Sequence, residues 1–128
     1  MICLLGKVLF VVAKYLLGIP SSDCVLDGSY FQTSTKQKIG CQIDYLIQTK
    51  TTLYICEIKF SKNPIGPKVI EEVEKKIKAL AIPKHISYRP VLVHVGGVAD
   101  EVVYRDYFDT IIDWTELLSP ESKKRRKG

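Results

Sequence analysis

A chain of 128 residues, 46% apolar and 26% charged, suits one ordinary domain with its own core and is too short to hold a complete ATPase or polymerase module as well. This composition argues against disorder as the default state. The net charge of +5 is compatible with a polyanionic partner, but five positive charges belong to the closing run Lys123, Lys124, Arg125, Arg126 and Lys127.

We therefore expect one domain over 1–118 and a basic, disordered tail over 119–128, with a nucleic-acid-contacting tail as the alternative. Cys3, Cys24, Cys41 and Cys56 have no C-x-x-C spacing and sit in apolar stretches. That argues against zinc and for reduced thiols in a cytoplasmic setting. His85 and His94 have no companion in the sequence and read as structural.

In chain order, Ile2 to Ile19 is nearly all apolar, interrupted by Gly6, Lys7, Lys14 and Gly18. Lys7 and Lys14 share one helical face, so a largely buried amphipathic helix is expected from about Cys3 to Leu17. A membrane or targeting segment is the alternative. Gly18 and Pro20 supply the stop. Cys24 to Gln32 is predicted as a strand with a kink at Gly28, and Thr33 to Gly40 as a turn. Cys41 to Gln48 and Leu53 to Phe60, both rich in β-branched and aromatic residues, form a hairpin across Thr49–Thr52.

Pro64, Gly66 and Pro67 break the chain before a helix over Lys68 to Ala81. Val69, Ile70, Val73, Ile77 and Leu80 make its apolar face. Its wet side carries the i,i+4 pairs Glu71–Lys75, Glu72–Lys76 and Glu74–Lys78. Arg89 to Val95 has the continuous apolar character of an interior strand. A helix within Ala99–Tyr107, a strand within Phe108–Asp113 and a helical turn over Thr115–Leu118 complete the pattern. The expected fold class is α/β, of order α-β-β-β-α-β with a small β/α end.

A hairpin loop centred between Lys50 and Thr51 sets Asp44 opposite Glu57 and Gln42 opposite Lys59. Strand alternation then brings all four side chains to one patch. Two carboxylates opposed in an apolar setting repel each other and are costly to bury. A divalent cation between them resolves the conflict, because Mg²⁺ takes one or two carboxylates together with waters and phosphate oxygens. Lys59 could then orient a water or stabilise charge on a phosphate. The bland alternative is an exposed strand end where Lys59 merely neutralises Glu57.

The segments G-C-Q-I-D-Y-L-I (Gly40 to Ile47) and I-C-E-I-K-F (Ile55 to Phe60) resemble the PD-(D/E)XK nuclease superfamily. More narrowly, they resemble the nuclease-like domain at the carboxyl end of certain prokaryotic AAA-type ATPases. The resemblance implies a restriction-endonuclease-like core with a mixed central sheet flanked by helices. It also implies Asp44 and Glu57 as ligands of Mg²⁺ or Mn²⁺, Lys59 as the catalytic lysine and Gln42 as an accessory residue. The first helix holds no Asp or Glu where relatives often place an acidic residue, and no G-x-x-x-x-G-K-[ST] occurs.

The function this implies is metal-dependent phosphodiester hydrolysis, with DNA preferred to RNA as substrate. Lys36, Lys38, Lys62 and Lys68 are candidate backbone contacts. The alternative is a catalytically inactive module that docks on an ATPase partner, or on a second copy through the first helix.

Overall fold

The computed structural model describes residues 10–115; the expected basic tail, the start of the first helix and most of the turn over Thr115–Leu118 lie outside them. Residues 10–16 are helical (α1). Gly18, at φ 71, closes this helix in the left-handed conformation that suits glycine at such a stop. A single 3₁₀ turn, Ser21–Asp23, follows where a plain connection was expected. Then come β1 (Leu26–Gln32), β2 (Cys41–Gln48), β3 (Thr52–Phe60), α2 (Lys68–Leu80), β4 (Ser87–Val95), α3 (Asp100–Tyr104) and β5 (Thr110–Asp113).

The five strands form one mixed sheet in the order β1-β2-β3-β4-β5. β1, β2 and β3 are antiparallel neighbours, which short connections allow, whereas β3, β4 and β5 are parallel. Parallel neighbours need a crossover, and α2 supplies the one between β3 and β4. Among the described residues the predicted elements are present with shifted ends, but these residues close helix then strand, α3 then β5, instead of on a β/α end. β1 begins at Leu26 rather than Cys24, and β4 begins at Ser87 rather than Arg89. Ala81 is the left-handed C-cap of α2, outside the helix proper.

Each sheet face has its own core. On one, Val69, Ile70, Val73 and Ile77 of α2 pack with Ile43, Leu46, Leu53, Ile55 and Leu92, joined by Val102 and Phe108. On the other, Ala13 of α1 and Ile19 meet Tyr45, Ile47, Cys56, Val91, Val93, Ile112 and Trp114. The central strands β3 and β4 are covered on both faces, which is why they read as unbroken apolar runs. The Phe10 ring stacks on Tyr45 with centroids 3.8 Å apart, and Lys14 is 2.9 Å from Asp27, so α1 is fixed to the sheet at two points. Its outer side leaves Val11 65% and Tyr15 81% exposed. No helix among the described residues is long and apolar enough to cross a membrane.

Candidate functional site

The hairpin pairs as predicted over Tyr45↔Cys56, Leu46↔Ile55, Ile47↔Tyr54 and Gln48↔Leu53, and there the ladder stops. The cause lies on the other side of β2. Gly28 pairs with Leu46 and Tyr30 with Ile43, so β2 places two residues, Asp44 and Tyr45, against the single Ser29. Such a bulge breaks the alternation and bends the strand. Ile43 and Leu46 consequently both reach the α2 face, which strict alternation forbids for residues three apart.

Asp44 sits in this bulge. Its Oδ2 accepts the Ile58 backbone N–H at 2.9 Å, so a carboxylate replaces a backbone acceptor just past the end of the ladder. Ser29 Oγ donates to the Asp44 carbonyl at 3.2 Å. Neither expected opposition, Asp44 with Glu57 or Gln42 with Lys59, is part of the ladder. Gln42 lies beyond the bulge, pairs with Phe31, is exposed, and makes no side-chain hydrogen bond to Asp44, Glu57 or Lys59 among the described residues. The one-residue insertion turns it away from the patch.

Glu57 follows on β3, facing α2, with its side chain only 4% exposed. Such a carboxylate stays charged only with close partners. It has two: Lys76 Nζ lies 2.8 Å from Oε1, and Lys59 Nζ lies 3.6 Å from Oε2. Lys59 is anchored in turn by Glu72 Oε2 at 3.0 Å. The hydrogen bond to Glu72 raises the Lys59 pKa, burial opposes the rise, and the charges of Glu57, Glu72 and Asp44 add to it. Lys59 is therefore an ammonium at neutral pH.

Glu72 and Lys76 are one helical turn apart, where sequence patterning pairs them on the wet side of α2. Neither they nor Glu71–Lys75 or Glu74–Lys78 form an ion pair with each other; the i,i+4 ion pair among the described residues is Glu101–Arg105. Both side chains instead flank the buried apolar stripe and reach down to β3. A buried carboxylate offers Lys76 more than an exposed helix pair of a few tenths of a kcal/mol does. Periodicity alone gave no sign of this; a charged residue bordering the apolar stripe was the available hint.

The neighbouring parallel strands bring further polar groups to the same edge. Lys59 pairs in register with His94, and His94 with Asp113. His94 is 5% exposed, and its Nδ1 has no hydrogen-bond partner among the described residues. Asp113 Oδ1 accepts the Thr115 N–H. This edge is formed by the carboxyl ends of β3, β4 and β5, where open α/β sheets place their ligands. Gly96 lets the loops after β3 and β4 cross closely here: a Cβ would stand 1.8 Å from the Ser61 carbonyl oxygen.

The site is an open charged edge. Two clefts of about 340 and 400 Å³ lie at the opposite end, lined by Thr49–Thr52 and by Tyr88–Pro90 respectively. The ion-paired residues Glu57, Lys59, Glu72 and Lys76 belong to the charged edge and line neither cleft. The loops carrying Lys36, Lys38 and Lys62, and the start of α2 at Lys68, join the sheet at this end, and all four lysines are exposed.

As a cation site the donors are few. Among the described residues, no cluster of three or more His, Cys, Asp and Glu is placed to hold a metal ion. Asp44 keeps Oδ1 free of any described hydrogen bond, while Glu57 has a lysine at each oxygen. Mg²⁺ and Mn²⁺ take one or two carboxylates together with waters and phosphate, and here Asp44 has an open oxygen whereas Glu57 would first have to exchange a lysine for the ion.

No family model matches the chain, and neither a curated protein nor a solved structure does.

Proposed function

We propose that this chain is a metal-dependent phosphodiesterase of the PD-(D/E)XK type, acting on DNA in preference to RNA. The observation that carries the reading is the buried Glu57 carboxylate, flanked by two lysines where the bulge brings Asp44 against β3. The mixed sheet, with one helix before its first strand and another between β3 and β4, supports a restriction-endonuclease-like core.

In this reading Asp44 and Glu57 hold Mg²⁺ or Mn²⁺. Such a cation, when bound, polarises the scissile phosphate and lowers the pKa of a water. Lys59, held by Glu72, keeps an ammonium beside Glu57 where it can orient the nucleophile or meet developing negative charge. Lys36, Lys38, Lys62 and Lys68 contact the backbone, and Gln42 stands outside the site. The free thiols Cys24, Cys41 and Cys56 support a reducing, cytoplasmic setting.

The test is incubation with supercoiled plasmid and single-stranded DNA in Mg²⁺, Mn²⁺ or EDTA, beside Glu57→Ala and Lys59→Ala. Cleavage that needs the metal and is lost in both variants supports the assignment. Metal-independent cleavage surviving in both refutes it.

A second reading is a non-catalytic module that docks on an ATPase partner or a second copy. It is favoured by the exposed Val11 and Tyr15 on the outer side of α1. Light scattering that reports a dimer, reduced to monomer by Tyr15→Lys with the metal response intact, would support self-association.

A further inference from the structure

We propose that Lys76 is the built-in competitor of the divalent cation: in the metal-free protein its ammonium occupies the position on Glu57 Oε1 that the cation takes, and it is displaced when the cation binds. The inference rests on the two-carboxylate site and adds to it a residue carried by α2 instead of the sheet.

The two lysines on Glu57 differ in how firmly they are held. Lys59 has a second anchor, Glu72 at 3.0 Å, and its contact with Glu57 is the longer one, 3.6 Å. Lys76 makes the short contact, 2.8 Å, and Glu57 is its one ion-pair partner among the described residues. Lys59 can thus remain in place when Glu57 changes partner, whereas Lys76 has nothing else to hold it.

Lys76 also has somewhere to go. Its side chain is 25% exposed at the margin of α2, so its flexible stem can carry the ammonium to water. Glu57, at 4%, cannot follow. A buried carboxylate left without a counter-charge is strongly unfavourable, so something positive must stand at Oε1 in each state. Lys76 does so without metal. A divalent ion shared with Asp44, whose Oδ1 is free, brings twice the charge and satisfies both carboxylates. The two cations cannot share Oε1 at contact distance. Lys76 therefore lowers cation affinity while it stabilises the metal-free fold.

The opposed effects separate this role from a plain salt bridge. The experiment titrates Mn²⁺ into the full chain by calorimetry, and measures melting temperature in EDTA, for wild type, Lys76→Met, the milder Lys76→Gln, Glu57→Gln and the control Lys78→Met on the exposed side of α2. Expected for Lys76→Met is Mn²⁺ binding tighter by about tenfold, the scale of one charge-assisted hydrogen bond, together with a lower melting temperature in EDTA. Lys76→Gln follows in the same direction with smaller changes, Glu57→Gln loses Mn²⁺ binding, and Lys78→Met matches wild type. Equal or weaker Mn²⁺ binding in folded Lys76→Met or Lys76→Gln overturns the displacement and leaves the cation site standing. If no variant and no wild type binds Mn²⁺, the proposal and the metal-dependent reading fall together.

Discussion

The two ends of the β2–β3 hairpin are built on different principles. Toward the turn, four consecutive ladder pairs hold mostly apolar residues, and the Thr49–Thr52 turn bonds to itself. Toward the other end the ladder stops, β2 bulges, Asp44 bonds the Ile58 N–H, and Glu57 and Lys59 pair with Lys76 and Glu72 of α2. The first end is what a stability-only sequence would choose. The second holds a carboxylate at 4% exposure with a lysine at each oxygen. A buried ion pair of this kind is weak evidence for stability.

If that contrast is right, the two ends respond to different challenges. Ile55→Ala, at a site 1% exposed in the regular part, should cost about 2–5 kcal/mol by denaturant titration, since deleting core methyl groups leaves a cavity. The rise in melting temperature on adding Mn²⁺ should survive it wherever the variant still folds. Loss of that rise would mean that the two ends are one cooperative unit and the comparison fails. Glu57→Gln should cost less, about 2 kcal/mol in EDTA, because Lys59 and Lys76 can turn to water once their partner is neutral. It should nevertheless abolish both the Mn²⁺ response and DNA cleavage.

Asp44 sharpens the comparison further, because it holds the Ile58 N–H and is also a proposed cation ligand. Asp44→Ala strands the Ile58 N–H and should cost about 1–2 kcal/mol. Asp44→Asn keeps an acceptor for that N–H and should cost under about 1 kcal/mol. Both should lose the Mn²⁺ response. If Asp44→Asn retains full cation affinity, Asp44 is only a strand stop, and Glu57 must find its second ligand elsewhere.

The regular end was legible in the sequence because turn chemistry and alternation act locally. A turn centred between Lys50 and Thr51 sets every ladder pair that forms. The placement of the candidate residues was legible in part. Asp44, Glu57 and Lys59 do come to one edge, but the argument from alternation does not survive the bulge. Gly28 signalled a kink in β1, yet the extra residue sits on β2, where no glycine marks it. Gln42 was misplaced for that reason. Helix periodicity located Val69, Ile70, Val73 and Ile77, but it is blind to what the sheet below requires, so Glu72 and Lys76 were assigned to solvent. His94 looked solitary because its neighbour Lys59 comes from parallel pairing across the α2 crossover. Neither residue carries a local mark of that contact.

The smallest effect concerns a carboxylate on the opposite face, and it tests whether charge near β2 is functional in general or only at the bulge. Asp27 accepts hydrogen bonds from Tyr45 Oη and Lys14 Nζ. These bonds, Tyr45's first, hold its pKa below the ordinary 3.8 against a small opposing effect of burial. A depressed carboxylate stabilises the fold above its unfolded value and loses that contribution as pH falls through the lowered folded value. Asp27→Asn should therefore be less stable than the wild type near pH 6, by less than about 1 kcal/mol because the pair is partly exposed and screened. The gap should close as the pH drops below about 4, toward 2. Tyr45 contributes with the opposite sign: burial, then Asp27, raises its pKa above the ordinary 10.0, so its share is present below pH 10 and fades as the pH rises further. Denaturation midpoints for the two proteins across the acid range would show the closing gap, and parallel curves would remove Asp27 from the account. Mn²⁺ should leave the difference untouched. Asp27 has a lysine and a tyrosine of its own, so it presents no unmet charge for an ion, whereas Asp44 has one oxygen without a described hydrogen bond.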